Sequence, residues 1–164
     1  MANGDKMERK WLAHYIDSNF GSGTASYIRL GKDLEEYNIE LNPDSETIKN
    51  ILGENNTNVK GYEVSSNVDT FFAREGDALF AHLSYIVNNR SVGSELETTA
   101  VDVLVDSTGT VVWAYRENVL IIPQSIGGDT SGIQIPYQII YNGSRTSGTW
   151  DVKHLRHLPE RLES

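Results

Sequence analysis

TAVDVLVDSTGTVVWAYRENVLIIP, residues 99–123, sets the fold class. Val, Ile, Thr and aromatic side chains crowd both halves, and such residues fit a pleated, half-buried surface. Ser107-Thr108-Gly109 interrupts them with turn chemistry. The stretch predicts a strand over 99–106, a turn at 107–109 and a returning strand over 110–123. So short a link can only reverse the chain, so the pair is antiparallel.

The flanks continue the pattern. IQIPYQIIY (133–141) alternates in part, and Pro136, which lacks a ladder donor, marks an edge or a bulge. GGDTSG (127–132) reads as a glycine-bounded loop. Asn142-Gly143 is the strongest short hairpin signal and predicts a reversal into a last strand, SRTSGTWDV (144–152). Toward the N-terminus, WLAHYID (11–17) and VKGYEV (59–64) read as strands, with FGSGTAS (20–26) a turn. LEEYNIELN (34–42) alternates: Glu35, Tyr37, Ile39 and Leu41 share one face, and Glu36, Asn38, Glu40 and Asn42 the other. Pro43 is expected to end that run.

Two segments depart from strand periodicity. From Asp77, a good N-cap, Leu79, Phe80, Leu83, Ile86 and Val87 recur at helical spacing. They predict a helix over 77–90 with that stripe as its packing face and Arg90 in the last turn, where a cation suits the dipole. Residues 43–58 are polar, end in ENNTN, and carry one small apolar cluster, Ile48, Ile51 and Leu52. They read as a long polar loop whose cluster seeks a neighbouring subunit. Residues 1–10 read as a flexible arm, 11–152 as one domain and 153–164 as a polar tail. The expected architecture is α+β: mostly antiparallel strands with one helix packed on one side.

Composition narrows the function. The 164 residues carry 14 Lys and Arg against 23 Asp and Glu, a formal charge of −9. Residues 33–106 hold 15 of those acids and four bases, Lys49, Lys60, Arg74 and Arg90. One stretch must present a strongly negative surface, the opposite of what phosphate neutralisation needs. The chain has no cysteine, which excludes a disulfide framework, thiolate metal sites and cysteine nucleophiles and suits a reducing compartment. No run approaches the roughly 20 apolar residues of a membrane helix. The opening MANGDKMERK has no apolar h-region, so no secretory signal is expected. The sequons at Asn55, Asn89 and Asn142 then read as chance.

Reaction chemistry is nearly silent. His154 and His157 are three apart but lack a third ligand nearby. His14 and His82 have no close Ser or Asp in sequence to suggest a triad. Glu36 and Glu40 on one strand face stand roughly 13 Å apart, too far to act on one bond, and Asp102 and Asp106 meet the same objection. No dinucleotide, phosphate-loop, nucleophile-elbow, EF-hand or zincin motif is present. The chain reads as a non-enzyme with no metal and no cofactor. Trp11, Trp113 and Trp150 fall in strands, which argues against a loop-based sugar- or peptide-binding module.

LGKDLEEYNIELNP (30–43), VDVLVDSTGTVVWAYRE (101–117) and GGDTSGIQIP (127–136) carry a likeness to a known family. Across residues 11–152 the chain resembles the tail tube (major tail) proteins of long-tailed, siphovirus-type bacteriophages. The tail after Val152 matches no family pattern. The resemblance implies a sandwich or barrel of two packed antiparallel sheets with a flanking helix. It also implies hexameric rings stacked into a tube, with tape-measure, tail-terminator and distal-tail proteins as neighbours. The implied location is the virion tail, assembled in the host cytoplasm, and DNA passes through the tube without specific binding. No cofactor comes with the family. On this reading the Glu36, Asn38, Glu40 face lines the lumen, where carboxylates repel phosphates. Alternatives are the tube of a contractile tail or phage-like bacteriocin, and a ring-forming tail terminator or head–tail completion protein.

Overall fold

The computed structural model describes residues 5–20, 24–32 and 34–151, and the backbone of 156–159. Its strands, in chain order, are β1 (Leu12–Asp17), β2 (Tyr27–Arg29), β3 (Ile39–Glu40), β4 (Pro43–Lys49), β5 (Asn55–Tyr62) and β6 (Ser65–Val68). The helix α1 (Ala78–Asn89) follows. Then come β7 (Glu97–Val105), β8 (Val111–Pro123), β9 (Gly127–Asp129), β10 (Gly132–Gln134), β11 (Tyr137–Tyr141), β12 (Thr146–Asp151) and β13 (Arg156–Pro159). Nine strands share one antiparallel sheet, and β4–β5 and β9–β10 form separate two-stranded ribbons. The chain is thus α+β, mostly antiparallel strand with one α-helix among the described residues.

The predicted hairpin is the middle of the sheet. β7 pairs with β8 from Glu97↔Leu120 to Val105↔Val111. The turn between them is closed by Asp106, whose carboxylate accepts from the Thr108 N–H at 2.9 Å, the Thr108 hydroxyl at 2.6 Å and the Thr110 N–H at 3.1 Å. Those donors hold the Asp106 carboxyl below its usual range.

β8 is a long strand because it serves two neighbours on its other edge. β11 pairs with Val119–Pro123 and β12 with Ala114–Arg116. The sheet therefore branches at β8, one limb running β11-β6-β3 and the other β12-β13. It also curls. Trp150 on β12 lies 4.4 Å from the Tyr15 ring on β1 and 5.5 Å from the Tyr27 ring on β2. In a flat sheet, four ladder steps would separate β12 from β2 by ~19 Å.

Curling and the helix cover both faces of the central strands. Ile16, Ala100, Val119, Ile121, Tyr137 and Ile139 face one cluster, which α1 seals with Leu79 and Leu83. Tyr15, Val101, Val103, Ala114 and Trp150 face a second. Of the helical stripe, Leu79, Leu83 and Ile86 are buried, and Phe80 and Val87 pack against the first cluster half-buried. Asp77 caps the helix, accepting from the Leu79 N–H at 3.0 Å. Arg90 is not in the last turn: it is the C-cap, in the left-handed conformation at φ 49°. Its αL geometry ends the helix, a role its charge does not explain.

Several expectations change. Asn142-Gly143 makes no hairpin. β11 and β12 lie along the same edge of β8, Tyr141 opposite Val119 and Thr146 opposite Arg116. Gly143 at φ 101° and Ser144 at φ 58° absorb the extra residues as a bulge, held by Asn142 N–H to the Asn118 carbonyl at 2.7 Å. Pro136 marks neither an edge nor a bulge. It lies in the break between β10 and β11, where its carbonyl accepts from the Gln124 N–H at 2.8 Å, and β11 is an interior strand. The glycine-bounded loop 127–132 closes into the β9–β10 ribbon.

The long polar loop of 43–58 is also overturned. It is a hairpin, β4 against β5, paired from Pro43↔Tyr62 to Lys49↔Asn55 with a register shift between Asp44 and Ser45. Pro43 starts a strand there and does not merely end one. Conversely, only Ile39–Glu40 of the 34–42 run is strand, paired with Ser65–Ser66. The arm and the tail are shorter than expected. Arg9–Trp11 form a 3₁₀ turn bonded to the domain, and Arg156–Pro159 add β13 to the sheet edge opposite β12. Residues 1–4, 153–155 and 160–164 of those two segments lie outside the described residues, as do Val152 and residues 21–23 of the expected turn at 20–26.

Candidate functional site

The first candidate is the acidic face at 36–40. Tyr37 turns inward, buried, and its hydroxyl meets the Ser66 hydroxyl at 2.7 Å. That anchor throws Glu36 and Asn38 outward, where the Asn38 amide donates to the Glu36 carboxylate at 3.0 Å. Glu40 stands opposite Ser65 and is exposed. All three side chains are thus exposed, and the first two are bonded to each other, although β3 supplies only Glu40. Leu41 breaks the alternation, being exposed as well.

The second candidate is the β4–β5 hairpin. Every residue of β4 is exposed, and in β5 only Gly61 is not. The hairpin rests on cross-strand polar pairs: Thr47 with Thr57 at 3.0 Å and Lys60 with Glu46 at 2.7 Å. At its tip the Asn50 carboxamide oxygen accepts from the Leu52 and Glu54 N–H groups, each at 3.0 Å, and Gly53 supplies φ 83°. Ile51 is completely exposed and Leu52 is 76% exposed; Ile48, Val59 and Tyr62 are exposed below them. The structure therefore gathers Ile48, Ile51 and Leu52 at one projecting tip. A two-stranded hairpin that buries nothing is marginal by itself in water, and exposed apolar residues of this kind make a candidate contact surface.

The third candidate escaped sequence reading. His14 on β1 lies directly opposite Asp102 on β7. The His14 Nδ1 meets Asp102 Oδ1 at 2.6 Å, and both side chains are buried. The Tyr141 hydroxyl donates to Asp102 Oδ2 at 3.3 Å. The Tyr37 ring leans on the imidazole at 4.6 Å. Arg9 completes the set. Its guanidinium donates to the Leu12 carbonyl at 2.7 Å and the Tyr37 carbonyl at 3.0 Å, and reaches His14 Nε2 at 3.0 Å. Burial, then the Asp102 charge, holds the Tyr37 phenol up at about 12 and raises the Tyr141 phenol as well. Eighty-eight residues separate His14 from Asp102, and only the β1–β7 register brings them together.

This buried pair is not a hydrolytic triad. A triad needs the Nε2 of its histidine facing a nucleophile; here Arg9 occupies that position. No group of three His, Cys, Asp or Glu among the described residues is arranged to hold a metal. His157 lies on β13, a strand, so it makes no helical pair with His154, which is outside the described residues. His82 stacks on Phe20 at 4.7 Å. No helix among the described residues is long and apolar enough to cross a membrane.

No family model matches the chain, and no curated protein matches it significantly.

Proposed function

We propose that this protein is a structural subunit that polymerises with itself, as a tail tube protein of a siphovirus-type bacteriophage. In this reading six copies close a ring and rings stack into a tube that conducts DNA from capsid to host. The single observation that carries it is the β4–β5 hairpin: fifteen strand residues and a bare Ile51–Leu52 tip that touch no core of their own. An element of that size stays ordered by docking on a neighbour. The family resemblance over residues 11–152 supplies the kind of assembly. The two limbs that leave β8 then act as the two walls of the tail-tube sandwich, and α1 backs the wall. The exposed Glu36, Asn38 and Glu40 surface faces the lumen, where its charge keeps phosphates sliding. Tape-measure, terminator and distal-tail proteins are the expected neighbours, and the virion tail the expected location.

Negative-stain microscopy of the purified protein tests the reading. Long tubes with a central channel are expected; isolated rings would favour a terminator or completion protein, and a monomer at high concentration would overturn it. Ile48→Ser, Ile51→Ser and Leu52→Ser together should leave a folded, soluble monomer that forms no tubes. Normal tubes from that variant would remove the hairpin tip from the interface.

A further inference from the structure

We infer that Arg9 and His14 form a proton-operated latch that holds the segment before β1 on the domain when His14 is neutral and releases it when His14 is protonated. The inference follows from donor and acceptor arithmetic and stands apart from the assembly reading. A guanidinium has donors only. Arg9 lies 3.0 Å from His14 Nε2, so that nitrogen must accept. The ring proton then sits on Nδ1 and is donated to Asp102 Oδ1, 2.6 Å away. The buried row therefore reads guanidinium, neutral imidazole, carboxylate, with the imidazole as the bridge between two opposite charges.

Protonation places a second N–H on Nε2. The acceptor that Arg9 uses disappears, and two cations face each other across the same short gap. His14 keeps its bond to Asp102, now as an ion pair, so the side that yields is Arg9, which then also gives up its bonds to the Leu12 carbonyl at 2.7 Å and the Tyr37 carbonyl at 3.0 Å. The charged and titratable groups bonded to or stacked on the imidazole come from four elements, while Lys10, Arg29, Lys32, Glu35 and Glu36 stand around the groove that His14 lines. Asp102 comes from β7; Arg9 comes from the 3₁₀ turn; Tyr37 comes from the segment before β3. Tyr141, from β11, reaches it through Asp102. The two tyrosines stay neutral across the range in which an imidazole titrates, so they do not oppose the change. With Arg9 gone, the turn keeps its Trp11 N–H to Glu8 carbonyl bond at 3.1 Å and the exposed bond from the Arg29 guanidinium to the Lys10 carbonyl at 3.0 Å, and no residue of the turn is buried. Release also opens the groove beside it, which Arg9, His14, Arg29, Lys32, Glu36 and Tyr37 help to line.

The test uses the full chain labelled with ¹⁵N. Imidazole ¹⁵N shifts report the tautomer, and hydrogen exchange of peptides covering residues 5–12 reports the latch. Exchange is compared at pH 7.5 and 5.5 after correction for intrinsic rates. His14 should be the Nδ1–H tautomer at pH 7.5, with residues 9–12 protected. Protection should drop at least tenfold once the shifts show imidazolium, while β7 and β8 amides stay protected. Arg9→Gln should lose protection at both pH values alike, and because Arg9 is itself exposed and meets the core only at the Tyr37 carbonyl and His14 Nε2, it tests the latch even if His14→Gln fails to fold. An Nε2–H tautomer at pH 7.5 would overturn the inference. So would a segment still protected beside a protonated His14, or a pH response in Arg9→Gln equal to that of the unaltered chain.

Discussion

Asp102 shows how much one register decides. It faces His14 across β1 and β7 and takes the Tyr141 hydroxyl on its second oxygen, so a carboxylate in the interior has both oxygens bonded. Satisfied in this way, a buried polar group fixes register at tolerable cost. The same environment resists phenol ionisation, and the sign of the effect is definite. The Tyr37 phenol sits at about 12 in the folded chain against about 10 when unfolded, and Tyr141 is raised too. Both contribute stability that is present in full below pH 10 and is lost as pH rises toward and through 12, because the unfolded chain releases those protons first. A series of melting temperatures from pH 8 to 12 should therefore fall steeply above 10. Tyr37→Phe should flatten that fall while lowering the plateau by roughly 0.5–1.5 kcal/mol for the lost bond to Ser66. A plateau that runs level to pH 12 in the unaltered chain would contradict the assignment.

Among the elements, α1 and the β9–β10 ribbon make opposite demands on their residues. The helix needs bulk: Leu83 is completely buried in the cluster that α1 seals. Leu83→Ala should cost about 2–5 kcal/mol, read as a lower denaturant midpoint with an unchanged slope. The ribbon needs the absence of a side chain. Gly128 stands at φ 138°, and a Cβ there would collide with the Gly132 carbonyl oxygen. Gly128→Ala should therefore break the Ile133↔Gly128 pairing at a local cost of about 1–3 kcal/mol. The amide of Gln134 should then exchange faster while the β7–β8 amides do not change. The bulge at Gly143 and Ser144 answers a third demand: it lets one run of chain serve two limbs of the sheet.

At the scale of the molecule, charge and assembly meet. Glu36, Asn38 and Glu40 are exposed, and the hairpin that follows them is exposed at every described residue but Gly61. If the proposed tube is right, Glu36→Lys with Glu40→Lys leaves folding and tube formation intact, since neither side chain packs in the core. Tubes carrying lysine there should retain DNA in a salt-dependent way and slow its ejection, because each cation displaces counterions from the backbone. Tubes of the double variant that bind DNA no better than the original, with the lysines accessible only on the outer wall, would place this face outside.

The apolar patterns made some of this molecule legible. The 99–123 pair, the Asp77 cap and the Leu79, Leu83, Ile86 stripe each bury a face of their own short segment, so local periodicity records them. The β4–β5 hairpin left no such record. PDSETIK and NNTNVKGY are exposed on both faces, and a period of two is invisible where neither face is apolar. Asn142-Gly143 carries the chemistry of a reversal, yet becomes a bulge because the free edge of β8 continues past it and offers Asn118 as partner. His14, Asp102, Tyr141, Tyr37 and Arg9 met only once β1, β7 and β11 were in register, since nothing in a local window encodes a pairing 88 residues long. Sequence alone fixed the antiparallel, helix-backed class and the acidic surface, because local side-chain preference and net charge are properties of short segments. Long-range strand pairing decided the hairpin, the bulge and the buried network, because those depend on which distant edges are left to bond.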